Sequence, residues 1–174
     1  MSTIPLILVR HAPAVARHPA QRDADRALTP AGRRRLQQIA PGLKYQVPEV
    51  TQIITSPYLR TMQTAEFLGK AYAVPVIPLA ALAPGQTVET LGKALTAHAA
   101  QQSVMLVGHE PELSQFASWL LLGMPLTWFK FKKAGALGLC LHEGYTPACA
   151  TLHWLATPAL LRQLGRKRAF PYQE

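Results

Sequence analysis

Acidic residues are scarce in this chain. Asp and Glu number 9 against 18 Lys and Arg, for a formal net charge of +9, so anionic partners are favoured over cationic ones. Charge of either sign is also sparse, at 16% of residues against 49% hydrophobic, which excludes an intrinsically disordered chain. Cysteine is limited to Cys140 and Cys149, which form no CxxC pair. That excludes a disulfide scaffold and a cysteine zinc site, and reads as reduced, buried thiols in an intracellular protein. Long hydrophobic runs are missing. IPLILV at 4–9 lacks a preceding basic region and is no signal peptide. SWLLLGMPLTWF at 118–129, followed by Lys130 and Lys132, falls short of the roughly 20 residues of a membrane span. Aromatics are few, at 7%, and are not interleaved with basic residues. There is no zinc spacing, RNP-like strand or basic zipper, so nucleic acid is not expected as a partner. The clusters Arg33-Arg34-Arg35 and Arg166-Lys167-Arg168 read as solvated faces. A cytoplasmic protein with no membrane association is expected.

What is present is an alternation of short apolar runs with helical patterns, the signature of an α/β layer fold. IPLILV reads as a strand buried on both faces. A Pro-, Arg- and Asp-rich loop follows as far as Leu28, longer than a plain connector and therefore expected to be functional. Thr29-Pro30 is a helix start, Thr as N-cap and Pro at the first helical position. Leu36, Ile39, Ala40, Leu43 and Val47 continue it, with Pro41-Gly42 expected to end or kink it. TQIIT at 51–55 is a β-branched strand. SPYLR opens a second helix with Ser56 as cap and Pro57 at the first position. VPVIPL predicts a third strand, 88–99 a helix, SVMLV at 103–107 a fourth strand, and Pro111 the start of another helix. ALGLCLH and ATLHWL flank the turn-like EGYTP and predict an antiparallel hairpin. A short helix from Pro158 and a basic tail close the chain.

Polar signals stand at the C-terminal ends of three predicted strands: Arg10-His11, Ser56 to Arg60, and Gly108-His109. In open α/β sheets those ends form the crevice where ligands bind. Two arginines and two histidines converging there would suit a dianion, most naturally a phosphoryl group, because the fork of guanidinium donors matches phosphate oxygens.

LVRHAPA, ITSPYLRTMQTAE and LVGHEPELS, in that order, resemble the motifs of the histidine phosphatase superfamily, the phosphoglycerate mutase-like or RHG family. The DADRALTPAG stretch, GHEPELS and FKKAGALGL are most similar to its phosphohistidine phosphatase branch, SixA. The resemblance runs from about residue 4 to residue 160. It implies a three-layer α/β/α sandwich with a mostly parallel central sheet, phosphoglycerate mutase-like, including one antiparallel hairpin strand. Residues 1–164 would form a single histidine-phosphatase domain and 165–174 a basic C-terminal tail. It further implies phosphoryl hydrolysis through a covalent phosphohistidine on His11, with Arg10, Arg60 and His109 neutralising the equatorial oxygens in the transition state. Arg26 matches the arginine of the family's D-x-x-R-x-L-T stretch and, with Ser56 and Gly108, is expected to bind substrate. Arg17 and Arg22 would join Arg26 on a basic rim. No cofactor and no metal are implied, because guanidinium groups supply the charge.

Two departures stand out. Ala12 replaces the glycine that usually follows the nucleophile, which is tolerable only if the backbone there avoids positive φ. The region after the third strand, LAALAPGQ, has no carboxylate before Glu89, where many relatives place an acid to protonate a leaving alcohol. A phosphorylated imidazole leaves more readily, so a phosphohistidine protein is the favoured substrate. Asp25, Glu110 and Glu112 remain possible substitutes for the acid. A general phosphatase of small phosphomonoesters, a non-catalytic phosphate-binding module and, last, a nucleic-acid binder are the alternatives.

Overall fold

A computed structural model describes residues 4–99 and 102–167. Strand β1 (Ile4–Arg10) is apolar and buried along most of its length, as expected for a strand covered on both faces. Its side chains alternate between two cores. Leu6 and Leu8 join one cluster with Leu95 and Phe116, while Ile7 and Val9 join another with Leu36, Leu68 and Leu161. Helices α1 (Pro30–Gln46), α2 (Leu59–Tyr72) and α5 (Pro158–Lys167) feed the second cluster, and α3 (Val88–Ala99) and α4 (Glu112–Leu122) feed the first. The sheet between these layers contains β2 (Gln52–Thr55), β3 (Val76–Pro78), β4 (Val104–Gly108), β5 (Ala136–Leu141) and β6 (Ala150–Ala156) beside β1. The strand order is β3-β2-β4-β1-β5-β6. The first four strands run parallel, and β5 lies antiparallel to both β1 and β6. The fold is therefore the expected α/β sandwich with a mostly parallel sheet and an antiparallel hairpin.

Three local expectations change. Helix α1 starts as read, the Thr29 hydroxyl accepting from Gly32 N–H at 3.0 Å, but it runs through Pro41 to Gln46. Pro41 is exposed, and the turn is held by close packing on α5. A Cβ on Gly42 would stand 1.8 Å from the Leu161 carbonyl oxygen, so only glycine allows this approach. Helix α2 begins at Leu59 with Tyr58 as N-cap, rather than at Pro57 with Ser56 as cap; the Ser56 hydroxyl accepts from His109 Nε2–H and, at 3.4 Å, from Tyr58 N–H. Helix α5 extends to Lys167, three residues past the boundary drawn for the tail. The remainder of that tail, 168–174, and Arg168 with it, lie outside the described residues. Cys140 and Cys149 are free and buried. Among the described residues, no helix is long and apolar enough to cross a membrane.

Candidate active site

Sheet register explains why distant motifs meet. Arg10 pairs with Gly108, and Thr55 with Val107, so the residues leaving β1, β2 and β4 emerge side by side. The His11 N–H donates to the Gly108 carbonyl and the Ser56 N–H to the Val107 carbonyl, both at 3.1 Å. The two imidazole rings lie 5.4 Å apart, centroid to centroid.

His11 is 6% exposed, and its Nδ1 lies 2.8 Å from the Ala12 carbonyl oxygen. A carbonyl only accepts, so the neutral ring carries its proton on Nδ1 and leaves a lone pair on Nε2. Burial holds the pKa of His11 down at about 4, with the charges of Arg60, Arg10 and Lys133 acting in the same direction against the Ala12 bond. Ala12 is buried and is not among the residues with positive φ, so its methyl group is accommodated without strain. Its N–H donates to Thr64 Oγ1 at 3.2 Å.

The other ring has the opposite tautomer. Arg60 Nη2 donates to His109 Nδ1 at 3.1 Å, which leaves the proton on Nε2 to be donated to Ser56 Oγ at 2.8 Å. Burial, then Arg60 and His11, lower the pKa of His109 to about 3. Tyr58 packs edge-on to His109, and the Arg60 guanidinium lies 5.0 Å from the Tyr58 ring centroid.

Arg60 is 3% exposed. Its Nη1 donates to the Asp23 carbonyl at 2.7 Å and its Nη2 to Asp23 Oδ2 at 2.9 Å. Arg10 is half-buried, its Nη1 donating to the Phe131 carbonyl at 2.6 Å. The Nε atoms of both arginines are buried without a partner. Unpaired buried guanidinium donors are costly.

Arg10, His11, Arg60 and His109 thus come together as expected. Ser56 is fully buried behind His109 and orients that ring. Gly108 has a packing reason for lacking a side chain, since a Cβ there would lie 3.0 Å from Leu113 Cδ2. Its carbonyl positions His11. Arg26 turns toward Asp23 Oδ1 and the Val15 carbonyl, at 2.9 and 2.8 Å, and Arg17 and Arg22 are exposed. Of the carboxylates weighed as acids, Asp25 is exposed and paired with Arg22. Glu110 accepts from Ser114 Oγ at 2.6 Å, and burial raises its pKa. Glu112 Oε1 accepts from Gly85 N–H at 3.1 Å, on the loop after β3. His18, His98, His142 and His153 are exposed.

Sequence reasoning missed Asp23, Tyr58 and Lys133. Asp23 had a signal, standing three residues before Arg26 in the quoted DADR stretch. Lys133 stands in the quoted FKKAGALGL stretch, but nothing local marks it as part of the site. Only the approach of the 131–135 loop to Arg10 puts its ammonium among cations, where burial, Arg10, Arg26 and Arg60 lower its pKa.

Residues 6–84, which include Arg10, His11, Ser56 and Arg60, match the profile of the histidine phosphatase superfamily (branch 1). An uncharacterised protein of Picosynechococcus sp. (strain ATCC 27264 / PCC 7002 / PR-6) is 34% identical over 140 residues, 77% of this chain and 83% of its own. The chain belongs to the histidine phosphatase superfamily. Two solved structures place it near that superfamily's SixA branch. One, from Agrobacterium tumefaciens and designated a phosphohistidine phosphatase SixA, is 25% identical with a TM-score of 0.73, covering 89% of this chain and 98% of that one. The other, a protein histidine phosphatase SixA complexed with tungstate, is 25% identical with a TM-score of 0.76, covering 90% and 98%. The family match and these neighbours make the chain a phosphatase, a hydrolase of phosphoric esters.

Proposed function

We propose that this phosphatase transfers a phosphoryl group from a protein phosphohistidine to His11 Nε2 and then to water. The observation that carries the reading is the His11–Ala12 hydrogen bond, which leaves an unprotonated Nε2 within the field of the Arg10 and Arg60 guanidinium groups. In the first step the Nε2 lone pair forms a bond to phosphorus as the bond to the substrate nitrogen breaks, in line. Arg10 and Arg60 neutralise the charge on the equatorial oxygens, and His109, whose Nε2–H is given to Ser56 and whose Nδ1 accepts from Arg60 Nη2, orients that guanidinium. In the second step water attacks phosphorus, the Nε2–P bond breaks, and inorganic phosphate and the free imidazole remain.

The substrate class is supported by what surrounds the leaving group. No carboxylate occurs between the end of β3 and Glu89, and Glu89 is exposed. A substrate imidazole leaves once its own ring is protonated, whereas an alkoxide needs an acid from the protein. Arg17 and Arg22 are exposed but each is paired with a carboxylate, Asp23 and Asp25, so attraction of an acidic protein surface rests on the chain's formal net charge of +9. The two free thiols are in keeping with a cytoplasmic setting. A small-molecule phosphomonoesterase is the second reading, favoured by one observation. Glu112 shares with His109 the lining of a cavity of about 10 Å³, the size of one water, and its Oε2 is buried without a partner, which leaves this carboxyl free to serve as the acid.

The test compares turnover of a phosphohistidine peptide and phosphoramidate with that of p-nitrophenyl phosphate and a sugar phosphate. It is paired with base-quenched labelling to detect acid-labile phosphate on the enzyme. Phosphohistidine turnover well above that of the sugar phosphate, with label lost in His11→Ala, is the expected result. Efficient hydrolysis of the sugar phosphate that is lost in Glu112→Gln would establish the second reading instead. Undiminished activity in His11→Ala would defeat both.

A further inference from the structure

The carboxylate of Asp23 lies among three guanidinium groups, yet the transfer scheme above gives it no part. Oδ1 accepts from Arg17 Nε and from Arg26 Nε, each at 2.9 Å, and Oδ2 accepts from Arg60 Nη2 at 2.9 Å. Its backbone carbonyl takes Arg60 Nη1 as well. Among the described residues, no other carboxylate is within ion-pairing distance of Arg26 or Arg60, while the charge acting on Arg10 is that of Glu110. Asp23 sits in a single 3-10 turn, Asp23–Asp25, within the loop that the Ala14–Leu28 bridge pins at its neck. Its side chain is 31% exposed while that of Arg60 is 3% exposed, so the anion is at the mouth and the cation within.

We propose that Asp23 is a resident counter-anion of the phosphoryl pocket: it neutralises the arginine cradle while the pocket is empty and competes with bound phosphate for Arg60 and Arg26, which limits the affinity for the product. The proposal rests on the pocket being the phosphoryl site. Two physical facts favour it. Clustered, desolvated cations with no anion are unstable, and the pocket brings Arg10, Arg26 and Arg60 together with Lys133. In addition, the Asp23 oxygens occupy the in-plane donors of Arg60 that phosphate oxygens would take. An arriving dianion is attracted by the cations and repelled by this carboxylate, so phosphate is held less tightly than the arginines alone would hold it.

A mere brace for Arg60 predicts the opposite sign, because removing a brace misplaces the guanidinium and weakens anion binding. Asp23→Asn preserves size and one acceptor oxygen while removing the charge. Inorganic phosphate is titrated calorimetrically and as a competitive inhibitor, at one ionic strength because salt screens the effect. The expected result is a Kd for phosphate about tenfold lower in Asp23→Asn than in the natural chain. The variant's Tm should be lower without phosphate and recover when phosphate is added. A Kd that is unchanged or higher overturns the proposal. Should Asp23→Asn fail to fold, Asp23→Ala is titrated with phosphate in the presence and absence of formate, which can refill the vacated carboxylate site. Weakening of phosphate binding by formate in the variant beyond that in the natural chain supports competition, and equal effects overturn it. Absence of phosphate binding to the natural chain would remove the pocket reading itself, and this one with it.

Discussion

Replacing Ser56 with alanine tests the ordering of the site more sharply than replacing any group that would meet the phosphoryl moiety. Ser56 Oγ is the acceptor for His109 Nε2–H at 2.8 Å, and both residues are 3% exposed or less. Without it the buried N–H has no acceptor, which costs about 1–3 kcal/mol. In a chain of this size that lowers Tm by roughly 3–9 °C, at about 3 °C per kcal/mol. The kinetic effect comes from the orientation of the ring, since Arg60 already fixes its tautomer. Moving the proton to Nδ1 would set one donor against another, because Arg60 Nη2 lies 3.1 Å away. Ser56 therefore holds His109 and Arg60 in one arrangement. Loss of that constraint should reduce kcat/KM by about 10- to 100-fold, equivalent to about 1.4–2.8 kcal/mol of transition-state stabilisation. Circular dichroism melts and steady-state kinetics on a phosphohistidine peptide read the two effects. Nitrogen-15 spectra of the imidazoles report the tautomer directly, with Nε2 of His109 protonated in the natural chain. A Ser56→Ala protein with unchanged Tm and kcat/KM would refute the reasoning.

Acid should weaken the fold before carboxylates titrate. The buried His11 and His109 have pKa values of about 4 and about 3, below the roughly 6.5 of an unfolded imidazole. The unfolded chain therefore binds more protons between those values, and stability falls as pH drops from about 6.5 toward 4. The slope approaches about 1.4 kcal/mol per pH unit for each ring, and denaturant melts at pH 7, 5.5 and 4.5 should record the decline. A flat profile would contradict the buried, neutral rings. Gly42→Ala should destabilise by about 3 kcal/mol, since its new methyl group must displace the backbone of α5. Equal denaturant midpoints for the two proteins would show that the helices do not pack so closely. Arg60→Lys preserves the charge but lacks the fork that meets Asp23 O, Asp23 Oδ2 and His109 Nδ1. It should lower kcat/KM by more than 10-fold, as about 1.4 kcal/mol or more of oriented bonding disappears, and wild-type kinetics would count against bidentate positioning.

Much of this protein was open to reading residue by residue. The apolar runs that became β1, β2 and β4 are buried on both faces, and such strands lie between helical layers wherever the sheet is parallel. Motifs at their ends could be recognised because Arg-His, Ser-Pro and Gly-His are local patterns. Thr29-Pro30 started a helix as read, since capping depends on neighbours in the chain.

Tertiary structure decided the rest. Helix α1 passes through Pro41 because α5 packs against Gly42, a contact between residues far apart in sequence. Ser56 was read as a helix cap, yet its hydroxyl serves His109, 53 positions away. Asp23 looked like one more polar residue in a loop, and it became the partner of Arg60 only when that loop folded over the ends of β1 and β2. The physical division is one of range. Hydrophobic periodicity and capping act within a few residues, and a sequence displays them directly. Hydrogen-bond acceptors, proton positions and the balance of charge in a buried pocket depend on which strands are neighbours and in what register, and no local pattern encodes that.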